Sequence, residues 1–305
     1  MQTVLVTGVN GFVGNHLVKE LISHGTRVIG LGGQGHGKPD GLAHYLELDL
    51  TEPSEAKKIN FSGVDAVIHL AGLAAVGPSF DDPMLYINTN IGIEVNLFET
   101  ALAQNAKPRF LIISSGALYD PKAPQPLTEE SSVIPNSPYA ISKLGQEQMA
   151  YYYSGRSFEC ITARPFNHFG PGQGPGFIVP DLAQQVVAAA SDKKQSVLVG
   201  NLDAKRDYTD VRDIVRAYRL LLEKGKSGKI YNICSGTARS GHEILDELAK
   251  AANCEPIIEQ DPAKMRPSDA PILVGSHEKL TADTSWQPKI PFKTTLADVI
   301  ASFKA

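Results

Sequence analysis

Through the first half of the chain, short β-branched runs alternate with longer amphipathic stretches. Residues 3–7, 27–31, 45–48, 66–71, 110–113 and 159–163 predict strands. Residues 12–24, 85–104 and 139–153 predict helices. The strand runs are apolar throughout rather than alternating, as expected for a parallel sheet covered on both faces. The strand–helix alternation implies βαβ units with right-handed crossovers. The fold class is therefore α/β, a doubly wound parallel sheet of the Rossmann kind.

After Arg164 the texture changes. The stretch "RPFNHFGPGQGPGF" is dense in Pro and Gly and is not expected to continue either element. Beyond it, helices are predicted near 179–190 and 211–222, and strands at 196–199 and 229–233. From Gly241 the pattern gives one clear helix and then a Pro-punctuated stretch. We divide the chain into a dinucleotide-binding domain, 1–165 with roughly 208–234 returning to its sheet, and a smaller C-terminal substrate-binding lobe, 166–207 and 235–305. There is no internal repeat, and the Gly-rich 31–41 segment reads as a loop.

Composition narrows the classes. At 305 residues the chain can bury one large core or two modest ones. A net charge of −4 without a Lys/Arg cluster points away from nucleic acid. The strand pattern begins at Gln2, where a secretory signal would stand, and no apolar run reaches membrane-spanning length. Cys160, Cys234 and Cys254 lack metal-ligand spacing, so no metal site is expected and buried thiols are. A cytoplasmic protein with no membrane partner follows as the default expectation.

Chemistry enters at "VTGVNGFVG", which sets Gly8, Gly11 and Gly14 at the first strand–helix turn. Pyrophosphate must approach that backbone closely, and the helix N-terminus supplies N–H donors and partial positive charge. A glycine triplet alone is a weak signal; at the first turn of an α/β pattern it is strong. The second predicted strand ends in Leu31, Gly32 and Gly33, with no carboxylate for a ribose 2′-hydroxyl. Nothing on that strand repels a 2′-phosphate, and His36 and Lys38 are within reach of one. This leans the reading to NADP(H), with NAD(H) left open.

Tyr139 and Lys143 in "YAISK" lie one helical turn apart on one face. A fixed cation beside a phenol favours its ionised form and brings it toward working pH. With Ser115 ending an apolar strand between glycine turn and tyrosine, the three form a candidate catalytic set: Tyr139 as acid, Ser115 as second hydrogen-bond donor to a substrate oxygen. Ser114 is expected to bond backbone.

"TGVNGFVG", "HLAG" (69–72), "SSGALY", "YAISK" and "RPFNHFGPGQ" together resemble the extended short-chain dehydrogenase/reductases acting on nucleotide sugars, across essentially the whole chain. "GNLDAKRDYTDVRD" (200–213) and "RPSDAPILVGSHEKLTADTSWQP" (266–288) are similar to the pair formed by GDP-mannose 4,6-dehydratases and GDP-4-dehydro-6-deoxy-D-mannose reductases, "DPAKMR" and "GSHEKL" looking closest to the reductases. The resemblance implies a cofactor set of Gly8, Asn10, Gly11, Phe12, Val13, Gly14, Asp49, Leu50, Leu70, Ala71, Gly72, Tyr139, Lys143 and Pro165. It also implies that Lys143 holds the cofactor ribose and lowers the tyrosine pKa. A GDP-sugar substrate would contact Ser79, Ser115, Asn167, Arg206 and Arg266, the arginines suiting paired phosphate oxygens. His168 is expected to pack or satisfy backbone. A homodimer through the helices at 85–104 and 139–153 is implied, with Tyr151, Tyr152 and Tyr153 serving that interface or the core.

Four activities compete. A 4-ketoreductase yields a GDP-6-deoxyhexose, with GDP-D-rhamnose expected and the talose configuration not separable. A 4,6-dehydratase needs a further acid and base, which the family carries just before the tyrosine of "SS…Y"; here Gly116 and Ala117 stand there. A 4-epimerase also lacks those acids and retains NAD. A non-catalytic NADP sensor tends to lose the tyrosine or lysine, and both are present. Two departures from the family are Asp120 and Ser285, each where glycine is usual.

Overall fold

A computed structural model of the chain describes residues 2–33, 35, 37–192, 196–264 and 271–304. In chain order its elements begin with β1 (Thr3–Thr7), α1 (Phe12–Ser23), β2 (Arg27–Gly32), β3 (His44–Glu47), α2 (Pro53–Ala56), β4 (Ala66–His69), α3 (Pro83–Ala103) and β5 (Arg109–Ile113). They continue with α4 (Pro138–Ser154), β6 (Cys160–Pro165), β7 (Asn167–Phe169), α5 (Ile178–Ser191), β8 (Ser196–Val199), β9 (Lys205–Asp210), α6 (Val211–Lys224) and β10 (Ile230–Ile233). The last are β11 (Ala238–Ser240), α7 (Gly241–Ala252), β12 (Ile257–Gln260), β13 (Ile272–Leu273), α8 (Glu278–Thr284) and α9 (Phe292–Lys304).

Seven strands form the main sheet in the order β10-β6-β5-β4-β1-β2-β3, all pairs parallel. The order reverses direction between β1 and β4, the switch point where such sheets hold ligands. Alternate residues of each strand serve opposite faces, which explains the unbroken apolar runs. Val4, Val6 and Leu111 join a core with Leu17 of α1, Tyr218 of α6 and Trp286. Leu5, Phe110 and Ile112 join another with Leu97 and Phe98 of α3 and Tyr153 of α4. Of the three consecutive tyrosines, Tyr153 therefore belongs to the core, while Tyr151 and Tyr152 are exposed.

Local chemistry starts the helices that carry the site. Asp82 caps α3 by accepting from the Leu85 N–H, and Ser137 caps α4 by accepting from the Ala140 N–H. In each helix a proline follows the cap, where its missing N–H costs nothing.

The second half departs from the pattern reading in several places. "RPFNHF" does continue structure: Arg164 and Pro165 finish β6, and β7 pairs with β9. β9 was not predicted, because its inward residues are polar; buried Asp207 accepts from the N–H groups of Ser235, Gly236 and Gly275. The Pro-punctuated tail contains α8 and α9, the latter burying Leu296, Val299 and Ile300 at helical spacing. Ser285 closes α8 at φ +64°, a left-handed position that accounts for the glycine usual there.

Candidate active site

The candidate residues gather at the carboxyl ends of the main-sheet strands. Gly8 has φ +70°, and a Cβ there would meet the Ala71 backbone nitrogen at 3.0 Å. A Cβ on Gly14 would collide with the Gly8 carbonyl oxygen. The turn therefore holds helix and strand in backbone contact that only glycine permits. Gly11 caps α1 with no side-chain bond to its first N–H groups, so the donors at Phe12 and Val13 face the turn. Such a helix start suits a pyrophosphate. Beside it Gly8, Leu31, Gly32, Asp49, Leu50 and Ala71 help line a cavity of about 240 Å³. Asp49 accepts from the Thr51 hydroxyl at 2.6 Å and its N–H at 3.0 Å. These features fit a dinucleotide lying across β1, β2 and β4.

At β4 the strand end is tied to β1. The Thr7 hydroxyl accepts from the Leu70 N–H at 3.1 Å and the Ala71 N–H at 3.0 Å. Gly72, at φ +145°, admits the Asn90 side chain, which a Cβ would approach to 2.6 Å.

At β5 the three catalytic candidates converge. Ser115 follows the strand, and its hydroxyl accepts from the Ala117 N–H at 3.1 Å. Tyr139 and Lys143 are both buried on α4. Lys143 Nζ reaches back to the Ile113 carbonyl at 2.9 Å and to Gln146 Oε1 at 2.8 Å. Burial raises the Tyr139 pKa, with a hydrogen bond from Ser115 pulling the other way. The expected lowering by Lys143 is not found: Lys143 is not among the groups that shift the phenol, and its ammonium is turned toward Ile113 and Gln146. Burial instead brings Lys143 itself down to about 8, opposed by Glu94 and Glu147.

Beneath the lysine lies a polar floor that sequence reasoning missed. An ammonium only donates, so Gln146 turns its oxygen to Lys143 and its amide nitrogen to His69 Nε2 at 3.2 Å. His69 Nδ1 in turn faces the Thr7 hydroxyl at 2.9 Å. Burial, then the Lys143 charge, hold His69 near a pKa of about 3, so the ring is neutral. One continuous chain thus joins Lys143 to the N–H groups that Thr7 binds at Leu70 and Ala71. Glu147 pairs with Arg164 through two 2.7 Å bonds, both side chains buried. Glu94 is fully buried beside Gln146 with neither carboxyl oxygen in a well-formed hydrogen bond, and burial raises it well above the usual range. The separation of 77 positions between His69 and Gln146 leaves no local signal for this contact.

Other candidates lie elsewhere. Pro165 is buried at the end of β6. Asn167 and Arg206 stand in the small sheet, where β7 pairs with β9 and Arg206 Nη1 donates to the Lys205 carbonyl at 2.9 Å. Ser79 is fully buried and donates to the Val76 carbonyl at 2.6 Å, a local turn contact. His168 Nδ1 meets the Phe166 carbonyl at 3.0 Å, the backbone role expected of it. Ser114 is buried with its hydroxyl unpartnered, contrary to the expected backbone bond. Arg266 and His36 lie outside the described residues.

The β2 end differs from expectation too. Its last residues are indeed glycines, but the Asn10 amide lies over them, donating to the Tyr45 hydroxyl at 3.1 Å and the Gly33 carbonyl at 3.4 Å. Glu47 of β3 accepts from the Gly35 N–H at 3.1 Å. A carboxylate therefore stands at this end after all, brought by the neighbouring strand.

Known proteins resemble the chain along its whole length. It is 35% identical to GDP-6-deoxy-D-mannose reductase of Pseudomonas aeruginosa, covering 100% of this chain and 98% of that one. The structure of RMD from Pseudomonas aeruginosa complexed with NADPH superposes with a TM-score of 0.88 at 33% identity, over 100% of this chain and 99% of that one. UDP-glucose 4-epimerase of Thermus thermophilus in complex with NAD gives 0.88 at 28%, with the same coverage. Residues 4–234 match the family described as NAD dependent epimerase/dehydratase. The glycine turn and the serine, tyrosine and lysine at β5 all fall within that span, and the chain belongs to this family of extended short-chain dehydrogenase/reductases.

Proposed function

We propose that the protein reduces the 4-keto group of GDP-4-dehydro-6-deoxy-D-mannose to a GDP-6-deoxyhexose, GDP-D-rhamnose. One observation carries the choice of reaction. The two residues after Ser115 offer no proton-transfer group, and Gly116 is packed so that a Cβ would sit 2.9 Å from the Phe166 ring. The additional acid and base of a dehydratase are therefore absent from both positions, and at Gly116 a side chain would press on Phe166. Burial also keeps the Tyr139 phenol protonated, which suits an acid in reduction.

A nicotinamide held there would supply the hydride for C4. Tyr139 donates its proton to the carbonyl oxygen, and the Ser115 hydroxyl orients that oxygen. Lys143 holds the cofactor ribose, its ammonium set by Gln146 and the Ile113 carbonyl. Gly11, Phe12, Val13 and Gly14 would cradle the pyrophosphate, Asn10 the ribose edge, Asp49 and Leu50 the adenine side, and Leu70, Ala71, Gly72 and Pro165 the walls. Asn167, Arg206 and Arg266 would hold the GDP-sugar in a lobe formed by 166–207 and 235–305, while Ser79, buried on the Val76 carbonyl, supports its turn rather than touching the sugar. A 35% identity to a reductase over the full chain supports this substrate.

A homodimer through α3 and α4 completes the reading. Met84 and Leu85 on α3 and Ile141 and Tyr152 on α4 expose apolar surface that such an interface would cover. Sedimentation as a monomer at micromolar concentration contradicts it.

The deciding experiment incubates the protein with GDP-4-keto-6-deoxymannose and NADPH or NADH. Loss of nicotinamide absorbance with one equivalent of alcohol formed is expected, and product NMR reports the C4 configuration. No loss with either cofactor refutes the reading; interconversion of sugars without added reductant supports an epimerase instead.

A further inference from the structure

Dinucleotide folds read the 2′ position of the adenosine ribose at the end of the second strand, where a carboxylate accepts a hydroxyl and repels a phosphate. In this chain Gly32 occupies that place. Its register partner on the parallel neighbour β3 is Glu47. Paired residues of adjacent strands stand about 4.8 Å apart and present side chains to the same face. What a Cβ at Gly32 would meet identifies the face: the Asn10 amide and the Tyr45 hydroxyl, each at 2.5 Å. It is the face of the glycine turn, toward which a ribose leaving the pyrophosphate site must lie. Glu47 is not simply dissolved in water there, since its carboxylate is tied to the Gly35 N–H in the loop following β2.

We infer that Glu47, carried one strand over from the usual place, discriminates against a 2′-phosphate, so that NADH is the preferred dinucleotide of this chain. The inference rests on the cofactor part of the proposed function and reverses the lean toward NADP(H), which assumed that the acid must come from β2. Three features act together. Gly32 leaves space that the Asn10 amide and Tyr45 hydroxyl fill, this pair offers hydrogen bonds to a neutral 2′-hydroxyl, and the Glu47 charge opposes a phosphate carrying roughly two negative charges. Two such groups near a water-exposed edge repel enough to shift affinity about tenfold. Lys38 lies in the same loop and, with His36, is what a preference for NADPH would employ.

The test is calorimetric titration of the whole protein with NADH and with NADPH, without sugar. Wild type is expected to bind NADH more tightly. Glu47→Gln should tighten NADPH about tenfold while changing NADH less than threefold, and Glu47→Lys should reverse the preference. Lys38→Ala should leave the ratio of the two constants within about twofold. A wild-type preference for NADPH overturns the inference, and so does a ratio unmoved by both Glu47 variants or set by Lys38. Glu47 is on an exposed edge strand, so the variants should melt like wild type, and a thermal scan checks this. Tight dinucleotide binding without sugar reduction would sink the proposed reaction while leaving this inference standing. Binding with an unmoved ratio would do the opposite.

Discussion

Two strand ends of one sheet are built on different plans. At the end of β5, Ser115, Tyr139 and Lys143 rest on a buried polar floor, Gln146, His69, Thr7, Glu147 and Arg164, packed between α3 and α4. At the end of β2 there is no side chain at Gly32, and the chemistry comes from Asn10, Tyr45 and Glu47 around a loop. The first end is over-determined: each ring atom and amide has its orientation dictated by the next. The second is an edge where neighbouring elements lend groups to a gap. The proposed reaction chemistry thus sits where movement is costly, and the inferred cofactor discrimination where residues can change without disturbing the core.

The contrast breaks most severely at the buried ion pair. Glu147→Gln leaves Arg164 buried with half of its pairing lost and should cost about 3–5 kcal/mol of stability, read by denaturant unfolding. A loss under about 1 kcal/mol would mean that the floor is not the rigid base described.

Next comes the acid that the floor supports. Tyr139→Phe should lower turnover by about 10²–10⁴-fold while dinucleotide binding stays within about threefold of wild type. Turnover like that of wild type would remove Tyr139 from the chemistry.

The pH dependence sharpens the comparison, because Lys143 links stability and activity with opposite slopes. Its folded pKa lies near 8 against 10.5 for the unaffected side chain, so between these values the unfolded chain binds more protons. Its contribution makes stability rise with pH through that window. The same window removes the ammonium, so kcat/KM should fall on the alkaline side with a midpoint near pH 8. A kcat/KM profile still flat a full unit above that midpoint counts against it, and Lys143→Met should flatten the stability slope.

The smallest effect belongs to the other strand end. Tyr45→Phe deletes one hydrogen bond to Asn10 at a half-buried position and should cost about 0.5–1 kcal/mol, with cofactor affinity changed only a few-fold. A loss as large as that at Glu147 would erase the distinction between the two ends.

Legibility in the sequence follows the same division. The glycine turn, the apolar strands of the first half and the Tyr139–Lys143 spacing were readable because each is local: a period, a turn requirement or one helical face. Gly116 and Ala117 were readable as an absence, and for Gly116 alone the packing on Phe166 adds a steric reason. Glu47 was not readable, since its role depends on which residue of β3 lies beside Gly32, a register that no single strand specifies. The Gln146–His69 contact escaped for the same reason, as did β9, whose buried Asp207 and Thr209 look like a solvated turn until Ser235, Gly236 and Gly275 enclose the carboxylate. In α9 the signal was present at Leu296, Val299 and Ile300, but prolines before it drew the reading toward loop.

The seventh strand has a consequence for how the chain is made. β10 is the outermost strand beside β6, yet it follows β6 only after β7, α5, β8, β9 and α6. During synthesis from the N-terminus, β6 therefore presents an open edge, buried throughout its length in the finished protein, until residues 230–233 have left the ribosome. Such an edge pairs readily with the edge of another nascent chain. A pause that leaves β6 outside the ribosome without β10 should therefore raise aggregation more than a pause after residue 233 has emerged.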